Sequence, residues 1–272
     1  MRRGRTWPLH WSAGLLLLVS ISAWTSPAPS DSTRVLFVGN SLTYYYGVPY
    51  LFQEIAGDVY GEDVSVDSLL QGGGRLAEVA SNSVSLEALR GASYDVVILQ
   101  ENGGLLLCGA DRAGRQTAEC RESLSAHRRI LDIAGSDSAR GILLGTYQAS
   151  RSVAHALVAG EQWFVTELAL DGYASVAPPV LRGKERHGDL PWFAEDGMHP
   201  GPAASLLIAA AVAEAVFGEP PPTWELTARM PYRTPVMPLN YDRLVGGTEA
   251  FQSSEPLSVG PADLVRICAL LQ

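Results

Sequence analysis

The chain has 272 residues, of which 47% are hydrophobic and 18% are charged, with 27 glycines and 17 prolines. That composition is typical of a globular protein with a hydrophobic core, and it excludes disordered chains and collagen-like repeats. The length suits one sizeable domain or two small ones, since domains usually contain roughly 100–200 residues.

The charge of the chain narrows the classes of partner. The formal net charge is −9, and the first thirty residues contribute three arginines and no acids. Residues 31–272 therefore carry 17 basic against 29 acidic residues, a charge of −12. A surface this negative repels phosphate backbones and anionic lipids, which argues against nucleic acid as a partner. Lys184 is the only lysine, so mechanisms that need a buried lysine have a single candidate.

The first thirty residues have the pattern of a secretory signal peptide. Arginines at positions 2, 3 and 5 form a basic region, an apolar stretch runs from Ala13 to Ala23, and small and turn-forming residues follow at 26–30. The apolar stretch is shorter than the roughly 20 residues that span a bilayer, which favours cleavage over the alternative of an uncleaved anchor. We therefore predict an exported protein, secreted or periplasmic, whose folded domain occupies residues 31–272.

From residue 34 onward, apolar runs of strand length alternate with amphipathic segments of helix length. The run Arg34–Val38 ends at Gly39 and is nearly all apolar, as expected for a strand buried on both faces. The other predicted strands are Val64–Leu69, Tyr94–Leu99, Gly141–Gly145 and Tyr173–Ala177. The predicted helices are Pro49–Val59, Leu76–Leu89, Glu119–Ala134, Glu161–Leu170 and Pro200–Phe217, the last with proline in its first turn.

Five alternations of strand and helix predict one parallel five-stranded sheet with helices on both faces. Prolines after Gly218 predict an irregular extension over residues 218–260, and a final helix within 261–272 is expected to pack back on the sheet. Parallel sheets form their sites on loops beyond the carboxyl ends of the strands. The loops at 39–48, 70–75 and 100–118, and the loop before the last long helix, are therefore where a site is expected.

The three cysteines lack the spacing of a metal site, and two of them are placed so that they can form a disulfide. Cys108 and Cys120 flank a polar stretch that they can close as a disulfide in an oxidising compartment. Cys268 is then left over, and we expect it to be buried. Neither His-Glu-x-x-His nor Cys-x-x-Cys occurs in the chain, and we predict no metal and no cofactor.

The loop after the first strand reads Gly39-Asn40-Ser41-Leu42-Thr43. A serine at this position has its hydroxyl at the edge of the sheet and its amide at the start of a turn, which suits a nucleophile that also helps to bind an oxyanion. The alternative is that Asn40 and Ser41 only cap the following helix, which these residue types often do.

The loop before the last long helix reads Asp196-Gly197-Met198-His199-Pro200. A serine nucleophile needs a base that takes its proton, and the base needs an acceptor that fixes its tautomer. His199 can present one ring nitrogen to Ser41 while Asp196 accepts from the other. Alternatively, this is a surface turn with a capping aspartate and an incidental histidine.

Two further loops on the same edge can supply hydrogen-bond donors. Gly72, Gly73 and Gly74 form a turn after the second strand, and Gln100-Glu101-Asn102-Gly103 follows the third. A glycine amide and a side-chain carboxamide are the donors that an oxyanion site requires. Four such loops on one predicted edge make coincidence the weaker explanation.

These blocks, in this order, resemble those of the SGNH (GDSL-like) hydrolase superfamily over residues 34–217. The resemblance implies a flavodoxin-like three-layer α/β/α fold and ester hydrolysis through an acyl-enzyme, with no cofactor. It implies Ser41 as the nucleophile, His199 as the base and Asp196 as its orienting partner. The oxyanion donors it implies are the amides of Ser41 and Gly73 and the side chain of Asn102.

One block departs from the pattern of the superfamily. Gly-x-Asn-Asp is usual after the third strand, whereas this chain has Gln100-Glu101-Asn102-Gly103. The Gln-Glu pair resembles a subset of the superfamily, some of whose members act on acetylated carbohydrates. Gln100 is therefore an alternative to Asn102 as the side-chain donor, and Glu101 is expected to be structural.

Two rival functions fit the same residues. The first is a non-catalytic module that binds a glycan or a cell-envelope polymer, and the second is an O-acyltransferase that uses the same triad. Three histidines have no expected role: His127 is predicted to be solvated on a charged helix face, and His155 and His187 are predicted to lie in polar loops. Aromatic residues near the two loops either line a substrate pocket or pack in the core: Tyr44, Tyr45, Tyr46, Trp192 and Phe193.

Overall fold

The structure is a computed structural model that describes residues 32–148, 150–220, 232–235, 243–247 and 256–271. The predicted signal peptide, residues 1–30, lies outside the described residues. So does most of the predicted proline-rich extension, namely residues 221–231, 236–242 and 248–255.

Eight strands are described: β1 (Thr33–Gly39), β2 (Val64–Gln71), β3 (Tyr94–Leu99), β4 (Gly135–Leu144), β5 (Gly172–Ala174), β6 (Tyr232–Pro235), β7 (Arg243–Gly247) and β8 (Pro256–Val259). Six form one sheet in the order β5-β4-β3-β1-β2-β7, and β6 pairs with β8 in a second sheet. The strands β1 to β5 are parallel, whereas β7 runs antiparallel to β2. The parallel sheet was predicted, but the count of five was one strand short because β7 lies in the stretch predicted to be irregular.

Nine α-helices are described: α1 (Ser41–Tyr44), α2 (Val48–Ile55), α3 (Leu76–Ser81), α4 (Ser83–Arg90), α5 (Ala118–Ala134), α6 (Arg151–Leu168), α7 (Ala177–Arg186), α8 (Pro202–Phe217) and α9 (Pro261–Cys268). A π-helical turn (Ala56–Tyr60) extends α2, and 3-10 turns cover Leu105–Ala110 and Gly114–Gln116. None of the helices in the described ranges is both long enough and apolar enough to cross a bilayer.

The sheet separates two hydrophobic layers, which gives the predicted three-layer α/β/α arrangement. In β1, Val35 and Phe37 pack with α2, α8 and α9, whereas Leu36 and Val38 pack with α3, α4 and α5. Successive side chains of a strand point to opposite faces, so a strand with a helical layer on each side must be apolar throughout. The apolar run in β1 is therefore explained by burial on both faces.

The segment predicted as one helix over Leu76–Leu89 is two helices. Asn82 separates α3 from α4, with extended backbone angles (φ −82°, ψ 122°), and its side chain accepts a hydrogen bond from the Ser85 amide at 3.1 Å. An asparagine competes with the helix by bonding backbone amides locally. It therefore ends one helix and caps the next.

Several other elements begin or end at residues different from those predicted. Helix α6 begins at Arg151, ten residues before the predicted start at Glu161, and α7 was not predicted. Pro178 and Pro179 both lie in the first turn of α7, where proline is tolerated. Consequently β5 ends at Ala174 rather than at Ala177, whereas β4 begins at Gly135, six residues earlier than predicted.

Cys108 and Cys120 form a disulfide, with their Cα atoms 5.7 Å apart. It joins the 3-10 turn after β3 to the first turn of α5. Cys268 in α9 is unpaired and buried, as expected, and burial raises the pKa of its thiol to about 12. It is therefore a protonated core side chain at neutral pH.

Candidate active site

Ser41 is the first residue of α1, directly beyond the carboxyl end of β1. Asn40 caps this helix, since its side chain accepts a hydrogen bond from the Leu42 amide at 3.1 Å. The first amides of a helix have no acceptor within the helix, which leaves the Ser41 N–H available to another group. Capping and nucleophile were posed as alternatives, but the loop assigns capping to Asn40 and leaves the Ser41 hydroxyl for other contacts.

A close approach of two strands holds the serine loop. A side-chain carbon added at Gly39 would lie 2.8 Å from Oε1 of Gln100 and 3.1 Å from Oγ1 of Thr43. Only glycine fits this distance without displacing a neighbour. The contact brings the end of β3 against the turn that carries Ser41.

His199 lies between Ser41 and Asp196. Its Nε2 is 2.8 Å from the Ser41 Oγ, and its Nδ1 is 2.6 Å from the Asp196 Oδ2. With the carboxylate accepting from Nδ1–H, Nε2 is the free acceptor and receives the serine hydroxyl proton. Residues 158 positions apart in the sequence thus form one continuous hydrogen-bonded chain.

The loop itself keeps Asp196 ionised. Partial burial opposes the charge, but the amides of His199 and Met198 donate to Oδ1 at 3.0 and 2.9 Å, and the His199 ring donates to Oδ2. Together these donors lower the pKa of Asp196 to about 2. A carboxylate with this pKa keeps its charge over the whole neutral range and fixes the tautomer of the imidazole.

Neighbouring elements orient the histidine. The Ala194 amide donates to the His199 carbonyl at 3.0 Å, and the Tyr147 hydroxyl donates to the Met198 carbonyl at 2.8 Å. The Tyr45 ring packs against the imidazole, with centroids 5.0 Å apart. Tyr147 follows β4, and its loop is not among those predicted to form the site although it lies on the same sheet edge. That position was the signal that could have found it.

The aromatic residues divide between the two roles that the sequence left open. Tyr44 and Trp192 are buried in the core, and the indole N–H of Trp192 donates to the His187 carbonyl at 2.8 Å. Tyr46 is nearly buried against Tyr45. Tyr45 and Phe193 remain partly exposed, so these two rings are accessible from solvent.

The glycine turn and the Asn102 loop are joined beside the serine. The Asn102 Nδ2 donates to the Gly73 carbonyl at 2.9 Å, and Gly73 has a positive φ of 65°, a conformation that favours glycine. A carboxamide nitrogen carries two hydrogens, so one remains for an oxyanion while the other holds the turn.

Gln100 makes different contacts. It is buried, and its Oε1 accepts from the Asn40 amide at 3.1 Å and from the Thr43 hydroxyl at 2.8 Å. Its Nε2 donates to the Glu101 carbonyl. Asn102 is partly exposed whereas Gln100 is buried, and this difference in access favours Asn102 over Gln100 as the side-chain donor. Gln100 holds the nucleophile loop instead.

No protein-family profile and no curated protein sequence matches the chain. Three solved structures superpose on it with a TM-score of 0.51 each. The chain shares their fold.

The first is the lipase Lip_vut3 from a goat rumen metagenome, with 17% sequence identity over 68% of this chain and 97% of the lipase. The second is a DUF4886 family protein from Bacteroides uniformis ATCC 8492, with 14% identity over 70% and 84% of the two chains. The third is LAE5, an α/β hydrolase from the metagenome of Lake Arreo in Spain, with 14% identity over 68% and 95%.

The prediction for His127 was wrong. This residue is fully buried on the inner face of α5, where its Nδ1 contacts the Ser123 carbonyl at 2.8 Å and its ring packs 5.4 Å from that of Phe164. Burial lowers its pKa, although the charge of Glu101 opposes the shift. The arginines beside it in the sequence suggested an exposed face. The buried spacing through Cys120, Ser123 and Ile130 was the better signal.

The other two histidines lie away from Ser41. His155 is an exposed residue of α6 rather than part of a loop. His187 directly follows α7, and its Nδ1 accepts from Arg266 at 3.3 Å while the same arginine pairs with Asp189. In the described part of the chain, no cluster of three or more His, Cys, Asp or Glu side chains is arranged to hold a metal ion.

Proposed function

We propose that the chain is an exported serine esterase that hydrolyses carboxylic esters through an acyl-enzyme on Ser41. The observation that carries the proposal is the hydrogen-bonded chain from Ser41 through His199 to Asp196, with contacts of 2.8 and 2.6 Å. A nucleophile, a base and an orienting carboxylate at these distances are the arrangement that activates a serine.

In the proposed reaction, the Ser41 oxygen attacks the ester carbonyl while His199 Nε2 takes its proton. The negative oxygen of the tetrahedral intermediate is stabilised by the amides of Ser41 and Gly73 and by Nδ2 of Asn102. The intermediate collapses as His199 gives the proton to the departing alcohol, which leaves the acyl group on Ser41. Water then attacks the acyl-enzyme with the same base, releasing the acid and restoring the serine.

The fold supports the reaction class. Of the three structures that share it, one is described as a lipase and another as an α/β hydrolase. Four loops at the carboxyl edge of the sheet carry the proposed machinery, where sites of parallel α/β sheets are expected. An ester hydrolase is therefore favoured over a non-catalytic binding module, which requires no aligned proton-transfer chain.

For the substrate, we propose short acyl esters, including O-acetyl groups on carbohydrate. The Gln100-Glu101 block resembles the subset of the superfamily in which some members act on such esters. The partly exposed Tyr45 ring beside His199 offers an apolar surface for the face of a sugar. The acidic composition of the chain does not oppose a neutral glycan.

Export is part of the proposal. The basic and apolar pattern of residues 1–30 favours secretion, and the Cys108–Cys120 disulfide is of the kind that persists in oxidising compartments.

Hydrolysis of p-nitrophenyl acetate by the purified protein and by its Ser41→Ala variant tests the proposed function. Ser83→Ala, an exposed serine at the start of α4, is the matched control. We expect turnover in the wild type and in the control, and a loss of at least about 10³-fold in Ser41→Ala. Equal rates in all three proteins would exclude Ser41 as the nucleophile. Acyl release that requires an added sugar hydroxyl would point to the acyltransferase instead.

A further inference from the structure

Glu101 is a buried carboxylate in contact with three separate parts of the protein. It is fully buried at the carboxyl end of β3. Its Oε1 accepts from the amides of Leu76 and Asn102 at 3.1 and 2.8 Å, and its Oε2 accepts from the Ser123 hydroxyl at 2.6 Å. A buried carboxylate is costly unless hydrogen bonds satisfy it, and here three donors do so.

Two of these three donors belong to the segments that carry the proposed oxyanion donors. Leu76 begins α3, directly after the glycine turn that contains Gly73, and its amide has no acceptor inside the helix. Asn102 carries the proposed side-chain donor, and Ser123 lies on α5 behind both loops. The Oε1 atom of Glu101 thus holds both the end of the glycine turn, through Leu76, and the Asn102 loop. The Asn102 Nδ2 joins the same two segments on the solvent side.

We infer that Glu101 is a positioning residue that sets the separation between the Gly73 and Asn102 oxyanion donors. The inference rests on the proposed function and adds to it a residue that touches no substrate. Oxyanion donors act only when they lie about 3 Å from the developing charge. An error of about 1 Å in their placement therefore weakens transition-state binding more than substrate binding.

Three variants separate the positioning role from simple filling of the core. In Glu101→Gln, the amide oxygen can still accept both backbone amides, and the amide nitrogen can donate to Ser123. In Glu101→Asp, the side chain is shorter by one methylene and cannot reach all three partners. Ser123→Ala removes the donor that holds Glu101 Oε2 and alters no residue of either loop. Leu89→Ala is the control, because Leu89 is a buried residue of the same layer with no polar contact to these loops.

Two kinetic readouts are taken for each variant of the full-length protein, which is expressed and purified in the same way as the wild type. One is kcat and KM for p-nitrophenyl acetate, normalised to sites titrated with a fluorophosphonate. The other is the second-order rate at which that reagent phosphonylates the protein, because its phosphoryl oxygen also occupies an oxyanion site. Thermal unfolding of each variant reports any loss of stability.

We expect Glu101→Asp to lose about 10- to 100-fold in kcat and in phosphonylation rate with KM changed less than about threefold. Glu101→Gln should stay within about threefold of wild type, and Ser123→Ala should lose about three- to tenfold. Leu89→Ala should lose stability but keep its rate per titrated site.

Wild-type rates in Glu101→Asp and Ser123→Ala would overturn the inference. So would a loss of rate in Leu89→Ala equal to that of the Glu101→Asp variant at the same fall in melting temperature. Should Glu101→Asp not fold, Ser123→Ala is compared with Glu101→Gln and Leu89→Ala instead. A lower rate per titrated site in Ser123→Ala alone supports the inference, and wild-type rates in all three variants or an equal loss in Leu89→Ala overturn it. A wild type that is phosphonylated but hydrolyses no ester would reject the proposed function, while the phosphonylation rates would still test the positioning role.

Discussion

At the scale of single residues, the geometry around His199 links side chains that the sequence places far apart. Ser41 follows the first predicted strand and Asp196 precedes the last long helix, so both were expected at the carboxyl edge of the parallel sheet. The structure places both within 2.8 Å of the imidazole nitrogens. The sequence did not reveal the supporting contacts of Tyr147 and Gln100, because their partners come from loops whose approach depends on tertiary packing.

The first prediction concerns Asp196→Asn. An amide accepts from Nδ1–H less strongly than a carboxylate does, and its NH2 group can donate to Nδ1 instead, so the histidine loses its tautomer control. We expect kcat for p-nitrophenyl acetate to fall by about 10³–10⁴-fold while the circular dichroism spectrum is unchanged. A variant with near-normal turnover would remove Asp196 from the proposed mechanism.

The second prediction separates the two candidate side-chain donors. Asn102→Ala should lower kcat by about 10²–10³-fold, because one oxyanion donor is lost while Ser41 and His199 stay in place. Gln100→Ala should instead loosen the Asn40 and Thr43 contacts, and it should lower the melting temperature as well as the rate. Kinetics and thermal unfolding of both variants provide the test. A mild, equal effect on kcat would show that neither side chain binds the oxyanion.

At the scale of elements, strand positions were easier to predict than helix ends. The apolar runs that predicted β1 and β3 are long and bounded by glycine or polar residues. Helix ends depended on single residues whose effect is local: Asn82 divides one predicted helix, and Pro178 and Pro179 begin another. The antiparallel strand β7 could not be predicted because a short segment with two glycines becomes a strand only through its pairing with β2.

The third prediction concerns the disulfide between the 3-10 turn and α5. A cross-link across 12 residues removes chain entropy from the unfolded state worth about 3 kcal/mol in the loop-closure description. We expect Cys108→Ala/Cys120→Ala to lower the free energy of unfolding by about this amount in urea denaturation. Dithiothreitol should destabilise the wild type and leave the double variant unchanged. An equal effect of the reductant on both proteins would indicate that the disulfide does not stabilise the fold.

At the scale of the whole molecule, α6, the loop after β4 and strand β5 meet at a buried acid. Glu161 accepts from the Thr146 amide at 2.8 Å and from the Tyr173 hydroxyl at 2.5 Å. Burial raises the pKa of Glu161 to about 7, although both hydrogen bonds act in the opposite direction. No sequence pattern predicts this buried acid, because a glutamate within an amphipathic helix ordinarily faces solvent.

The fourth prediction follows from that pKa. The folded state holds the Glu161 proton more tightly than the unfolded state, where a glutamate titrates near 4.5. The contribution of this group to stability is therefore present below about pH 4.5 and falls as pH rises toward 7, by up to roughly 3 kcal/mol.

Glu161→Gln cannot ionise and should lack this loss. The free energy of unfolding of wild type relative to Glu161→Gln should therefore decrease between pH 4.5 and pH 8, as measured by urea denaturation at a series of pH values. Parallel pH profiles for the two proteins would contradict the assignment.

The layered α/β/α arrangement was predictable because burial on two faces and the position of the loops follow from one regular alternation. The proposed site followed from the same alternation of strands and helices, since four short polar blocks fall on one edge of the sheet. The contacts of buried polar side chains were not predictable, because they depend on the distances between helices that lie far apart in the sequence.

The central claim is that Ser41 is the nucleophile activated by His199. Its most direct test is to react the protein with a fluorophosphonate and to map the adduct by peptide mass spectrometry, beside a His199→Ala variant. The proposed mechanism predicts one adduct, on the peptide that contains Ser41, with esterase activity lost in step and labelling slowed by orders of magnitude in the variant. An adduct on another residue, or full activity after Ser41 is modified, would contradict it.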